Sequence, residues 1–234
     1  MSETKIIIKT ENLKKDYKED GVVVHAVRGI DLEIKEGEFT AIVGPSGCGK
    51  TTLLNLISGL DTPDDGKVWL DGKAISDMSG KELSDFRRDN IGFIFQAYNL
   101  IPVLTVEENI EYIMLLQGVP KKERHERVLK ILEEVGLSGL ENRRPTQLSG
   151  GQQQRVAIAR AMVSNPKIIL ADEPTANLDS KTGSELLDMM AELNEKTGMT
   201  FVFSTHDKMV MERAKRVIVL KDGKIVDKSE IDIV

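Results

Sequence analysis

The sequence predicts an α/β protein built on a mostly parallel sheet, with an antiparallel sheet at its start and a block of helices inserted midway. Three observations point there. Short, wholly apolar runs such as FTAIVG, NIGFIFQ and KIILAD lack polar alternation, the pattern of strands covered on both faces. Helical patterns lie between several of these runs, as in a βαβ succession. The first 38 residues alternate instead, as half-exposed antiparallel strands do.

KIIIKTENL and VVVHAVRGIDLEI read as two strands, with EDG near Gly21 as their hairpin turn. FTAIVG, 39–44, is a buried strand, and TTLLNLISGL after it is a helix. GKVWLDG, 66–72, alternates as a half-exposed strand, and NIGFIFQ, 90–96, is another buried run. From Thr105 to about Met162 the chain turns helical. Thr105 is placed to cap a helix whose first turn carries glutamates. Val128, Ile131, Leu132 and Val135 share one face of the next. KIILAD (167–172) and MTFVFST (199–205) return to strands. The helix between them turns Leu186, Met189, Met190 and Leu193 inward. RVIVLKDGKIVDK closes on a hairpin around Asp222-Gly223. The expected division of this single 234-residue domain is about 1–38 and 62–75 for the antiparallel part, about 39–96 and 161–234 for the α/β core, and about 97–160 for the helical part.

Net charge is −6, with 40% hydrophobic and 30% charged residues, ordinary for a globular protein. General nucleic-acid binders are usually basic, so no nucleic-acid partner is expected. The single cysteine, Cys48, excludes an internal disulfide framework, and three scattered histidines argue against a zinc site. No apolar run approaches the roughly 18 residues that cross a bilayer. The N-terminus lacks the apolar stretch of a signal peptide. A cytosolic position is expected, with any membrane served from its surface through other subunits.

GPSGCGKT, Gly44–Thr51, fits G-x-x-x-x-G-K-[ST] and sits between a strand and a helix, the context that pattern needs. Its glycines let the backbone fold into a nest of N–H donors around a phosphate. Lys50 adds a point charge between β- and γ-phosphates, and the Thr51 hydroxyl suits Mg²⁺. Cys48 fills a free position of the pattern as a small residue. In IILADEPT, Asp172 and Glu173 end a buried strand, the edge at which open α/β sheets bind ligands. Asp172 suits Mg²⁺, and Glu173 suits the polarisation of an attacking water. In LSGGQQQR, Ser149 caps a helix and Gln152 completes a capping box. The two glycines leave N–H groups open to an anion.

Together, LSGGQ, the phosphate loop and the acidic strand end resemble the ATP-binding subunit of an ABC transporter, over nearly the whole chain from Leu13 to Lys228. The resemblance implies a P-loop NTPase core of RecA type, with an antiparallel β-subdomain and a helical signature subdomain. It implies a Mg²⁺-dependent ATPase with Gly44, Pro45, Ser46, Gly47, Cys48, Gly49, Lys50, Thr51 and Thr52 around the phosphates. Tyr17 matches the aromatic that stacks on adenine. Gln96 matches the glutamine that touches Mg²⁺ and the attacking water and links the site to membrane subunits. His206 matches the histidine on the γ-phosphate. Ser149, Gly150, Gly151 and Gln152 match the signature that closes on ATP held by a second copy, and Asp179 the aspartate that meets the partner's phosphate loop. The implied assembly is an isologous ATP-dependent homodimer that drives integral-membrane permease subunits from the cytoplasmic face of the membrane.

QAYNLIPVLTVEENI and ADEPTANLDSKTG are similar to the lipoprotein-releasing and macrolide-export ATPases, although Ala176 stands where the second motif commonly has glycine. The relatives of that subgroup include a division-linked ATPase. A regulatory role in a cell-division or cell-wall complex is therefore the alternative, and a P-loop kinase, which has no use for LSGGQ or Gln96, a further one. Tyr98, Leu100, Ile101, Pro102, Val103 and Leu104 either pack the helical part or line a groove for a membrane subunit's coupling helix. KKERHER, 121–127, reads as a solvated helix face.

Overall fold

A computed structural model describes residues 5–19, 21–227 and 229. Asp20, in the expected EDG turn, and the chain ends 1–4, 228 and 230–234 of the expected division lie outside the described residues.

The chain opens with β1 (Ile6–Glu19), β2 (Val22–Lys35) and β3 (Phe39–Val43), then α1 (Lys50–Ser58), β4 (Asp65–Leu70) and β5 (Lys73–Ala74). It continues through α2 (Gly80–Asn90) and β6 (Ile91–Ile94) into α3 (Val106–Leu116), α4 (Lys121–Glu134) and α5 (Gly150–Met162). It ends with β7 (Ile168–Asp172), α6 (Ser180–Thr197), β8 (Thr200–Thr205), α7 (Lys208–Arg213), β9 (Arg216–Lys221) and β10 (Lys224–Val226).

Two sheets form. One is antiparallel, in the order β2-β1-β4-β5; the other runs β10-β9-β3-β8-β7-β6. In the second, β9, β3, β8, β7 and β6 are parallel, and only β10 runs back, through a hairpin. Parallel strands need cover on both faces, and the two apolar clusters supply it. On one face Ile42, Leu170 and Val202 meet Leu53 and Ile57 of α1 and Ile8 and Leu13 of β1. On the other, Phe39, Phe201 and Phe203 meet α5 and α6, and the cluster runs on without a break to Val106, Ile110, Val128 and Leu132. The Phe39 and Phe203 rings lie 4.6 Å apart at their centroids.

Some elements differ from the sequence reading. The run at 90–96 is not a fully buried strand. It forms the four-residue edge strand β6, in which Gly92 and Ile94 are buried while Ile91 and Phe93 are only partly so. One flank of an edge strand lacks a neighbour, so its aromatics finish half-exposed, with Phe93 stacked on Phe95 at 4.4 Å. Helix α2 has one buried residue, Phe86, too little for an apolar period to show. In α6 Leu187 is buried as well, while Met189 is partly covered beside Arg155. The basic run of α4 is not merely solvated: Arg124 pairs with Glu111 of α3 at 2.8 Å, and both side chains are largely covered.

Candidate functional site

The loop between β3 and α1 is held by close backbone approach. A side chain on Gly44 would collide with the Leu220 carbonyl, and one on Gly49 with that of Ala26. Gly49 also sits at φ +102°, where glycine carries no steric cost. Pro45, Ser46 and Gly47 are exposed at the loop's tip, while Cys48 is buried beneath it. Burial pushes the Cys48 thiol up, which keeps it protonated and inert. The Lys50 ammonium spans the loop, donating to the carbonyls of Gly44 at 2.8 Å and Pro45 at 3.1 Å. A helix start such as that of α1 leaves its first N–H groups without partners inside the helix.

The acidic strand end lies beside this loop. The Thr51 hydroxyl is 3.1 Å from both carboxylate oxygens of Asp172. The Ser204 hydroxyl, one strand over, also donates to Asp172. Glu173 turns sharply out of β7, with φ +46°. Such a backbone is costly for a residue other than glycine and persists only when neighbours enforce it. Its N–H donates to Ser204 O at 2.9 Å, and its carboxylate meets His206 Nδ1 at 2.9 Å. The following peptide is gripped from below: Gln154 Nε2 donates to Pro174 O at 2.7 Å. Thr175 Oγ1 donates to Asp207 Oδ2 at 2.8 Å.

Tyr17, on β1 of the antiparallel sheet, lies against α1 and the turn that follows it. Its hydroxyl donates to Asp61 at 2.7 Å, and Lys15 Nζ lies 5.4 Å over its ring. Burial raises the Tyr17 pKa and the bond to Asp61 adds to this, while contact with the Thr52 side chain opposes both. Tyr17 therefore borders the residues that follow the loop.

Ser149–Gln152 form a separate surface. Ser149 Oγ accepts from Gln152 N–H at 3.3 Å, and Gln152 Oε1 accepts from Ser149 N–H at 2.9 Å, the reciprocal cap that their spacing predicts. Ser149 and Gly150 are exposed. A side chain on Gly151 would press on Thr182 Cγ2 at 2.5 Å, so the signature turn packs against the start of α6. Asp179 caps that helix, accepting from Lys181 N–H at 3.1 Å and Thr182 N–H at 3.0 Å. The Thr182 hydroxyl bond, first among these, holds the Asp179 carboxyl below its usual range. Gln96 is exposed, and its carbonyl accepts from Asn177 Nδ2 at 2.8 Å. The structure thus gathers the loop, Asp172, Glu173 and His206 at one sheet edge, with Tyr17 to the side of it against Asp61 and Thr52. Ser149–Gln152 and Asp179 lie together on a second surface, with every hydrogen bond described for Ser149–Gln152 kept within their own turn.

After Gln96 the chain makes two left-handed residues, Tyr98 and Asn99, at φ +59° and +49°. Arg160 of α5 donates to both their carbonyls, at 2.8 and 2.5 Å. Of the apolar cluster that follows, Leu100 packs against the core, while Val103 is 71% exposed. Ile101 lines a groove of about 340 Å³ with Phe93, Phe95, Tyr112 and Ile113.

Sequence reasoning missed Ser204, Asp61 and Gln154. The first two act from other strands or loops, and no spacing links them to the motifs they serve. Gln154 had a signal: it stands just before Val156, Ala157 and Ile158 in a helix that buries its apolar residues, so a wholly buried glutamine there needs a partner.

The profile of the ABC transporter family matches residues 27–176. An uncharacterized ABC transporter ATP-binding protein of Methanocaldococcus jannaschii, MJ0796, is 48% identical over 223 residues, 94% of this chain and 95% of that protein. The macrolide export ATP-binding/permease protein MacB of Brucella melitensis is 43% identical over 97% of this chain, which spans 35% of that longer protein. A solved dimer of MJ0796 in a post-hydrolysis state, bound to ADP and Pi, superposes with a TM-score of 0.87 at 46% identity, covering 94% of this chain and 97% of that one. The motifs, the two-sheet fold and these relatives agree: the chain belongs to the ABC transporter family, as one of its ATP-hydrolysing cassettes.

Proposed function

We propose that this chain powers an export or lipoprotein-release system, pairing with a second copy around two ATP beneath integral-membrane permease subunits at the cytoplasmic face. The observation that carries this reading is the convergence of Lys50, Thr51, Asp172, Glu173 and His206 at one sheet edge, with Ser149–Gln152 capped and outward on another surface. A chain with two anion-binding helix starts, only one of them facing its own loop, is suited to sharing each nucleotide with a copy. The dimeric relative bound to ADP and Pi, and the exporters MacB and PvdT, support the pairing and the direction of transport.

In this reading Gly44–Thr52 cradle the β- and γ-phosphates and Tyr17 stacks on the adenine. Glu173 accepts a proton from a water attacking the γ-phosphorus as the bond to the β–γ bridging oxygen breaks. His206 holds Glu173 in place and lies within reach of the γ-phosphate. Ser149–Gln152 and Asp179 close over the phosphates of the other copy. The donor set fits Mg²⁺: hard oxygens of Thr51 and Asp172 converge, with Gln96 as a further oxygen donor. No group of three or more His, Cys, Asp or Glu forms a metal cage among the described residues, which suits an ion that shares its coordination with phosphate and water. Mg²⁺ bound there would neutralise charge on the phosphate oxygens. The three-part division expected from sequence belongs to this reading, with the groove around Ile101 and Tyr112 receiving a permease segment.

Glu173→Gln tests it. The variant keeps the shape and loses the base, so hydrolysis should fall at least about 100-fold, within the range for a positioned general base. With ATP and Mg²⁺ it should elute as a dimer in size-exclusion chromatography. Normal hydrolysis by this variant, or an ATP-loaded monomer, overturns the reading.

A further inference from the structure

We propose that the Asp222-Gly223 turn is a brace for the phosphate loop, which makes Gly223 a positioning residue for nucleotide binding. The proposal rests on the reading of Gly44–Thr52 as the phosphate cradle. Gly223 N–H donates to Cys48 O at 3.1 Å, and Gly223 O accepts from Arg28 N–H at 2.8 Å. One buried residue thus ties the middle of the loop to β2. The consequence follows from peptide geometry. In a trans peptide the C=O and N–H point in opposite directions. A Cys48 carbonyl held on Gly223 therefore turns the Gly49 N–H away from the turn, toward the phosphate side.

The packing leaves the brace no slack. The Ala26 carbonyl lies against Gly49 of the loop and against Gly223 of the turn, and the Leu220 carbonyl lies against Gly44. A Cβ on Gly223 would stand 2.9 Å from Ala26 O and 3.0 Å from Arg28 Cγ, so the turn would have to withdraw from a backbone that cannot yield. Losing the Gly223–Cys48 bond frees the loop to sample other peptide orientations, and ordering it again costs binding energy.

The chain carries its own control. Asp71-Gly72 joins β4 to β5 by the same two-residue turn, at φ +50° and +76° against +49° and +75° for Asp222-Gly223. A Cβ on Gly72 meets nothing within 4 Å. Alanine at either glycine suffers the same backbone strain, but only Gly223 touches the loop.

The test is equilibrium binding of ADP to the full chain, with thermal melting of each variant. Gly223→Ala should raise the Kd about ten-fold and Gly72→Ala change it by less than about two-fold, with the larger loss in Tm in Gly223→Ala, which adds the clash and loses the Cys48 bond to the strain the two share. Gly223→Asn, which tolerates a left-handed backbone but keeps the Cβ, should raise the Kd as Gly223→Ala does and serves if that variant folds poorly. Wild-type affinity in both Gly223 variants, or an equal loss in Gly72→Ala, overturns the brace. Lys50→Ala separates the two readings. If it weakens ADP and the Gly223 variants do not, the brace alone fails; if it binds like wild type, the cradle reading fails first.

Discussion

Gln154 offers a way to separate stability from catalysis within one side chain. It is fully buried on α5; Nε2 donates to Pro174 O at 2.7 Å, while Oε1 has no hydrogen-bond partner. Gln154→Met keeps the length and covers the same volume without polar atoms. Removing the lone Oε1 returns about 1–3 kcal/mol, the desolvation cost of an unsatisfied buried acceptor. Leaving Pro174 O without its donor costs about 1–3 kcal/mol by the same rule. The two effects cancel to within about 2 kcal/mol, and for a chain of this size each kcal/mol moves Tm by about 2–4 °C. Catalysis should respond differently. Glu173 sits in a left-handed backbone one residue before Pro174, and a misplacement of about 1 Å at a reacting group costs about 100-fold. We expect kcat for ATP to fall about 10- to 100-fold with KM nearly unchanged. Gln154→Ala, which leaves a cavity, should lose about 2–4 kcal/mol of stability in addition. Steady-state ATPase assays and thermal melts on both variants decide it. A Gln154→Met protein with wild-type kcat refutes the coupling, as does one whose kcat loss follows its Tm loss.

Burial raises the Asp61 carboxyl, but bonds from Tyr17 and Lys15 outweigh it and hold the group below its usual 3.8. Its contribution to stability is therefore fully present above that value and lost as pH falls through the lowered one. Urea unfolding of wild type and Asp61→Asn should show a constant difference from about pH 7 to about pH 5 that shrinks only below about pH 4. Arg160→Met strands the carbonyls of Tyr98 and Asn99, so limited proteolysis should cut faster between residues 96 and 104. Arg160→Lys should rescue this only in part, since an ammonium cannot reproduce the fork of a guanidinium.

Much of this protein was legible in the chain itself. Continuous apolar runs marked β3 and β7 because strands with both faces covered tolerate no alternation. GPSGCGKT, LSGGQ and the Asp222-Gly223 turn were readable because each depends on local backbone chemistry, where a few adjacent residues set the conformation. The caps at Thr105 and Ser149 formed as their spacing predicts for the same reason. Helix α2 stayed hidden because one buried phenylalanine carries no period, and β6 was misjudged because position at the sheet edge, rather than composition, sets its exposure. Only the tertiary structure put Thr51 against Asp172, 121 residues away, and His206 against Glu173. Only it set Gly223 against Cys48. Such meetings depend on strand order. The pairing of β3 with β8 and β9, which brings these loops to a common edge, is decided by how two apolar faces are covered at once, and no stretch of sequence encodes that alone.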